Sequence, residues 1–242
     1  MARWVTVQTL RAGWYKFWQD SQKISKSVWQ RWAVLLGLGF GLCALAMLGL
    51  TITAKAQIDH GLQIWDARWL LVLAEALPLS FSKAITWESP GNMIVMLPVV
   101  VVFIGYMVAR AQPLLAATMM AAYGLQFALV WIGWGYWNRD RPALIADGMA
   151  ASGLHSFPSG HTVVVITVYG LLAYLWARAS RNWVERCLII LAMVFWIGMV
   201  ISSRLVLGAH WPSDVIVGVV IGVAWLATVI LTLSQVKDTA YK

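Results

Sequence analysis

Three separate stretches of this sequence place histidine, arginine and aspartate side chains beside long apolar runs. They are the pair Arg141-Pro142, residues 156–161 and residues 203–214. Strongly polar side chains are costly near hydrocarbon, so their grouping here needs a functional explanation. The residue types predict a site that handles phosphate at a membrane surface.

The arginines and the Ser-Gly pair are suited to binding an anion. Arg141 and Arg204 can grip a phosphate through paired charge-assisted hydrogen bonds. Ser159 and the backbone N–H groups of Gly160 and His161 open a predicted helix, whose positive end favours an anion. Together these groups predict an oxyanion pocket that is assembled from three separate connections.

The two histidines beside this pocket are predicted to have opposite tasks. His210 and Asp214 are four residues apart, so on one helical turn the carboxylate would meet the imidazole and fix its tautomer. The other ring nitrogen of His210 would then be free to attack phosphorus. His161 would protonate the leaving group, a task suited to a side chain whose pKa lies near neutral.

The composition places these residues in an integral membrane protein. Of the 242 residues, 61% are hydrophobic and 12% are charged, and the mean hydropathy is +0.73. These values lie outside the range of soluble domains. The net charge of +8 could suggest nucleic acid, but the basic residues lie between apolar runs and form no dense cluster, so no nucleic-acid partner is expected.

Six apolar runs approach the roughly 20 residues that a helix needs to cross a bilayer. They are too long and too unalternating for barrel strands, so the predicted fold is an all-α bundle of six transmembrane helices. The last run contains the small-xxx-small pair Gly218 and Gly222, which predicts close helix packing. The six predicted spans are residues 32–54, 93–109, 114–134, 161–177, 187–202 and 215–233.

Three segments lie outside these spans. Residues 1–31 mix basic and Trp residues, which predicts either a cytoplasmic amphipathic segment on an anionic leaflet or a partly disordered basic tail. Residues 55–92 are too polar to span and predict one or two interfacial helices between the first two spans. Residues 234–242 form a cytoplasmic tail, which leaves residues 32–233 as one six-span domain.

The distribution of basic residues predicts the orientation, because lysine and arginine are retained on the cytoplasmic side. With both termini inside, the outer segments hold only six of the 18 such residues, and three of these six belong to the predicted site. The site therefore faces outward, which in a bacterium means the periplasm. The outer six are Lys55, Arg68, Lys83, Arg139, Arg141 and Arg204.

Two of the polar stretches resemble known signature motifs. Pro-Ser-Gly-His at 158–161, and Ser203-Arg204 followed by His210 and Asp214, resemble the second and third motifs of the type 2 phosphatidic acid phosphatase family. This family shares its site with vanadium-dependent haloperoxidases, although nothing explains why a haloperoxidase would need six spans. Arg141-Pro142 resembles the end of the first motif, and the likeness covers roughly residues 90–222.

The resemblance implies a six-helix core that uses no metal and no cofactor. It implies a phosphohistidine formed on His210, with Asp214 orienting that ring and His161 acting as the general acid. It also implies a set of phosphate-binding residues, namely Arg141, Ser159, Gly160 and Arg204.

One residue departs from the family pattern. The first motif of the family begins with a Lys seven residues before its Arg, and that position here is Trp134. Arg139 lies two residues before Arg141, on the same side if the segment is extended. We expect Arg139 to replace the missing phosphate-binding cation.

These observations predict a phosphatase of the bacterial inner membrane that hydrolyses a lipid phosphomonoester or pyrophosphate. The family resemblance suggests undecaprenyl pyrophosphate, phosphatidylglycerol phosphate, phosphatidate or a lipid A phosphate as substrate. One alternative is a lipid phosphotransferase with the same intermediate, and another is a non-catalytic lipid-binding or transport protein. A lipid phosphate is the expected partner, and no protein partner is predicted.

Overall fold

The computed structural model describes residues 2–77, 79–146, 148–149 and 155–240, and within these ranges it contains helices but no strand. The helices are α1 (Ala2–Lys23), α2 (Lys26–Ala56), α3 (Gln63–Ala76), α4 (Phe81–Glu88), α5 (Met93–Ala109), α6 (Pro113–Tyr136), α7 (Gly160–Ala179), α8 (Trp183–Val206) and α9 (Pro212–Ala240). A π-helical turn, Ile58–Leu62, precedes α3, and a 3-10 turn, Ser89–Gly91, joins α4 to α5.

Six helical stretches in the described part of the chain are long and apolar enough to cross a membrane, which confirms the predicted six-span fold. A helix is the element that satisfies its own backbone hydrogen bonds in lipid. The first span begins earlier than predicted because Ser25 caps the helix, its Oγ accepting from Val28 N. The six stretches are Lys26–Ala56, Phe81–Ala109, Pro113–Tyr136, Gly160–Ala179, Trp183–Val206 and Pro212–Val236.

The basic N-terminal segment forms a helix, so the structure favours the helical alternative for this part of the sequence. Helix α1 contacts α5 and α6. Just after it, Ile24 and Val28 pack with Leu114 and Val236 in a small buried cluster. These contacts hold α1 against the end of the bundle where α5 turns into α6. Its place on the cytoplasmic leaflet remains a prediction.

Helix α7 lies at the centre of the bundle, where it packs against α6, α8 and α9. The close approach of α7 to α9 depends on Gly218, as the small-xxx-small pair predicted. A Cβ atom added at Gly218 would lie 2.9 Å from Cβ of Thr162 and 3.0 Å from the carbonyl oxygen of Ser159. Residue 218 therefore sets how closely the first turn of α7 can approach α9.

Two helices, α3 and α4, lie within residues 55–92, where one or two interfacial helices were predicted, but α4 is part of the second membrane-spanning stretch, Phe81–Ala109. Leu70 of α3 packs with Leu205 and Trp211, and Ala84 of α4 packs with Leu207. Both helices therefore cover the connection between α8 and α9. This packing also buries two carboxylate side chains of the segment, Asp66 and Glu88.

Candidate active site

A cavity of about 180 Å³ lies where the start of α7, the α8–α9 connection and the loop after α6 converge. Four of the predicted site residues line it: Arg141, Gly160, His161 and His210. The other four are buried and are not among the described residues that line the cavity. They are Ser159, Arg139, Arg204 and Asp214. The remaining lining residues are Gly91, Met93, Met96, Tyr123, Gln126, Phe127, Val130, Trp134 and Val164.

His210 is almost completely buried, and a backbone carbonyl holds the Nδ1 edge of its ring. Its Nδ1–H donates to the carbonyl oxygen of Ser156 at 2.9 Å, whereas Oδ2 of Asp214 is 3.7 Å from the same nitrogen. The tautomer is thus the predicted one, but a carbonyl and not the carboxylate accepts the hydrogen bond. Nε2 of His210 consequently keeps its lone pair for the cavity.

The charge state of His210 suits a nucleophile. Burial lowers the pKa of the His210 imidazole to about 4; the charges of Arg204 and Arg141 act in the same direction, and Asp214 opposes them. The sign follows because a low-dielectric site disfavours the charged form of a base. His210 is therefore neutral at pH 7, the form in which a ring nitrogen can attack.

Asp214 also reaches His210 through Ser156. One oxygen of the Asp214 carboxylate, Oδ2, accepts from Ser156 Oγ at 2.5 Å and from the backbone N–H of Trp211 at 2.8 Å. The backbone carbonyl of Asp214 also accepts from Ser159 N at 3.1 Å. Asp214 therefore fixes both the residue that holds His210 and the residue that starts α7.

Arg139 does not occupy the position predicted for it, because its guanidinium is held by two carboxylates. Nη1 donates to Oδ1 of Asp214 and Nη2 donates to Oδ2 of Asp66, both at 2.6 Å. The group also lies over the rings of Trp137 and Trp211, 4.9 and 5.1 Å from their centroids. A phosphate would have to displace both carboxylates, which argues against the expectation that Arg139 replaces the missing Lys. This geometry makes Arg139 a positioning residue.

The other two arginines differ in their access to the cavity. Arg204 is buried and forms an ion pair with Glu88, a residue from the end of α4. Arg141 lines the cavity, and its Nε has no hydrogen-bond partner among the described residues. The pKa of the Arg141 guanidinium is lowered overall, because burial lowers it more than the charge of Asp214 raises it. Of the three arginines predicted to bind phosphate, Arg141 is thus the one that lines the cavity.

His161 is held by a residue outside the motifs. Its Nε2–H donates to Oδ1 of Asn92 at 2.8 Å. Gly91, the neighbour of Asn92, permits this approach, since a Cβ atom there would lie 2.9 Å from Cδ2 of His161. The connection before α5 therefore sets the orientation of the predicted general acid.

Ser159 serves as the N-cap of α7. Its Oγ accepts from the backbone N–H of Thr162 at 3.4 Å and from Thr162 Oγ1 at 3.0 Å. The N–H groups of Gly160 and His161 belong to the first turn, which has no intrahelical acceptors for them. The first turn of α7 consequently presents backbone donors and a positive helix end to the cavity.

Trp134, which stands at the position of the family lysine, fills space at the cavity wall. Its indole Nε1–H donates to the carbonyl oxygen of Pro158 at 3.2 Å. Its ring stacks on His155 with centroids 5.8 Å apart. The residue therefore supports the loop that leads into α7 and contributes no charge.

Sequence reasoning gave no role to several residues that contact the predicted site, among them Asp66, Glu88, Asn92 and Ser156. Asp66 and Glu88 could have been predicted from the sequence, because both lie in a Trp- and Leu-rich segment. A carboxylate that is buried in such a segment needs a charged or hydrogen-bonding partner. Asn92 and Ser156 belong to no spacing pattern, and their contacts arise only from the tertiary arrangement.

The sequence of this chain is similar to the sequences of several known proteins. The model of the PAP2 superfamily matches residues 91–238 of this chain. Phosphatidylglycerophosphatase B of Escherichia coli is 40% identical over 74 residues, which are 30% of this chain and 26% of that protein. Lipid A 1-phosphatase of Rhizobium johnstonii is 37% identical over 76 residues, 31% of this chain and 27% of the relative. The chain thus spans about a quarter of the length of these relatives.

Among solved structures, this chain resembles a crystal structure of a transmembrane PAP2 type phosphatidylglycerolphosphate phosphatase from Bacillus subtilis. The TM-score is 0.68 and the sequence identity is 20%, over 79% of this chain and 96% of that one. At this identity the likeness establishes a common fold.

Proposed function

Because this chain belongs to the PAP2 superfamily, whose model matches most of its length, we propose that it is a membrane lipid phosphatase that works through a phosphohistidine on His210. The observation that carries the proposal is a neutral His210 with a free Nε2, in a cavity that Arg141 and His161 also line. Binding alone would need the arginine but no nucleophile with a fixed tautomer.

The first half of the reaction transfers the phosphoryl group to His210. Arg141 and the N–H groups at the start of α7 bind the phosphate, and the buried Arg204 adds positive charge close to His210. Nε2 of His210 attacks phosphorus while Nδ1–H stays bonded to the Ser156 carbonyl. The P–O bond to the lipid breaks. His161, which keeps Nε2–H bonded to Asn92, starts this step protonated on Nδ1 as well and gives that second proton to the leaving oxygen.

The second half restores the enzyme. A water molecule attacks the phosphorus of the phosphohistidine, and His161, now without its second proton, accepts a proton from that water. The P–N bond breaks and its electron pair returns to Nε2 of His210. Inorganic phosphate is released, and both histidines regain their starting protonation.

The substrate is a phosphomonoester or pyrophosphate on a membrane lipid. The names of the relatives support phosphatidylglycerol phosphate and a lipid A phosphate. A further relative, a putative undecaprenyl-diphosphatase of Escherichia coli that is 28% identical over 136 residues, supports undecaprenyl pyrophosphate, and phosphatidate follows from the family resemblance. The six apolar helices and the bacterial relatives make this a multi-pass bacterial membrane protein, and we propose that both termini are cytoplasmic and that the cavity faces the periplasm.

Phosphate release by the purified protein in detergent, with EDTA present, tests the proposal. The panel holds these four lipid phosphates and one soluble phosphate ester. We expect release from at least one lipid, and we expect a folded His210→Ala variant to release none. Release that survives in that variant, or that requires a metal ion, would contradict the mechanism. A phosphorylated second lipid in place of free phosphate would point to phosphotransfer.

A further inference from the structure

Gln126 lies in the middle of α6, inside a membrane-spanning stretch, and its side chain is only 1% exposed. Neither its amide nitrogen nor its amide oxygen has a hydrogen-bond partner in the part of the chain that the structure describes. An amide can both donate and accept, so this side chain leaves its full hydrogen-bonding capacity unused.

The side chain faces the candidate active site, because Gln126 lines the same cavity as His210 and Arg141. It lies two turns before Trp134 on α6, about 12 Å deeper along the helix axis at 1.5 Å per residue. Its neighbours in the lining at this depth are apolar or aromatic, among them Met96, Phe127 and Val130. The cavity therefore has a cationic end for phosphate and an apolar end that contains the amide of Gln126.

A buried amide without a partner is unfavourable for folding, and more so in a membrane. A leucine or methionine at position 126 would fill the space without that cost. Polar side chains that are retained inside a membrane bundle commonly mark a substrate path. We propose that Gln126 hydrogen-bonds the substrate between its phosphate and its hydrocarbon tails. The proposal rests on the lipid phosphatase function and extends it to substrate choice.

The chemistry of the amide indicates the class of lipid. A neutral amide suits a neutral group, such as an ester carbonyl or a glycerol hydroxyl, better than it suits a second phosphate, which calls for a cation. Acylated lipids carry such groups between phosphate and tails, whereas a polyprenyl chain has no hydrogen-bonding atom there. A site with a buried polar group discriminates against a ligand that leaves this group unpaired. Gln126 thus favours acylated lipid phosphates over polyprenyl phosphates.

The test compares a diacylglycerol phosphate with farnesyl phosphate, since both are phosphomonoesters and only the first has carbonyl groups. Gln126→Met keeps an unbranched side chain of similar size and removes the amide. We expect kcat/KM for the diacylglycerol phosphate to fall about tenfold, mainly through KM, as the loss of one neutral hydrogen bond implies. Turnover of farnesyl phosphate should stay the same or rise, and the thermal midpoint should not fall.

Thr167→Val is the matched control. Thr167 is fully buried in α7, and its hydroxyl also has no hydrogen-bond partner among the described residues. Unlike Gln126, it is not among the described residues that line the cavity. Removing this hydroxyl should leave the preference between the two substrates unchanged.

An equal loss on both substrates, or no loss on either, would overturn the role of Gln126 while leaving the phosphatase function intact. A parent protein that is folded but hydrolyses neither compound, nor any lipid of the wider panel, would overturn the proposed function and this inference with it.

Discussion

At the scale of single residues, the site uses a buried network to orient one imidazole. Asp214 bonds to the Ser156 hydroxyl, and the Ser156 carbonyl bonds to His210. Arg139 joins Asp214 to Asp66, so the carboxylate that accepts from Ser156 is itself paired. Both buried carboxylates, Asp66 and Asp214, depend on Arg139 for their positive partner. The effect of losing Arg139 should therefore appear in stability as well as in activity.

We predict that Arg139→Ala destabilises the protein by about 3–5 kcal/mol, because it leaves Asp66 and Asp214 buried without their cation. Thermal unfolding in detergent measures this, with Arg68→Ala as the control, since Arg68 is exposed on α3. The double variant Arg139→Ala, Asp66→Ala should cost less than the sum of the single changes. Full stability combined with a raised KM would instead restore Arg139 to the phosphate site.

At the scale of helices, the start of α9 depends on α3. Asp66 accepts from the backbone N–H of Ser213 at 2.8 Å and from its hydroxyl at 2.6 Å. It thereby caps the helix that carries Asp214, and its negative charge lies at the positive end of α9. The segment between the first two spans is thus part of the frame of the site, in addition to covering the outer end of the bundle.

The contact between α7 and α9 gives a second prediction. Gly218→Ala would place a Cβ atom against Thr162 and the Ser159 carbonyl, and should push the first turn of α7 away from α9. Such overpacking costs typically about 1–3 kcal/mol. We also expect kcat/KM to fall about tenfold or more, since a small misplacement of catalytic groups is costly.

Gly124→Ala is the control for this change, because a Cβ atom at Gly124 meets nothing within 4 Å. Alanine should there be neutral or slightly stabilising, since it favours a helix by about 1 kcal/mol over glycine. If Gly218→Ala kept the activity and stability of this control, the contact with α9 would not be what positions the start of α7.

The sequence was sufficient for features that depend on local pattern. Runs of apolar residues indicated the six spans, and the spacing of His210 and Asp214 placed them at the same connection. It could not show which partner each polar group would choose. The Ser156 carbonyl, and not Asp214, accepts from His210, and Arg139 pairs with Asp66, which lies far away in the sequence. Such choices follow from tertiary packing, and no periodicity encodes them.

At the scale of the whole molecule, the sidedness of the bundle decides which leaflet supplies the substrate. Most lysine and arginine residues outside the site belong to segments on the side of the two termini, and basic residues are retained in the cytoplasm. The cavity lies at the opposite end from the α7–α8 turn. We therefore expect Ser82 in α4 to face the periplasm and Arg181 in the α7–α8 turn to face the cytoplasm, both being exposed.

Single cysteines at these two positions test the orientation, in a protein whose native Cys43 and Cys187 are replaced by serine. A maleimide that cannot cross the inner membrane is added to cells with a permeabilised outer membrane. We expect it to label Ser82→Cys at once and Arg181→Cys only after the inner membrane is opened. The reverse pattern would place the cavity in the cytoplasm, where His210 would meet lipids of the inner leaflet. The two positions lie at opposite ends of the same bundle. If both were labelled while the inner membrane was still sealed, the protein would have two orientations.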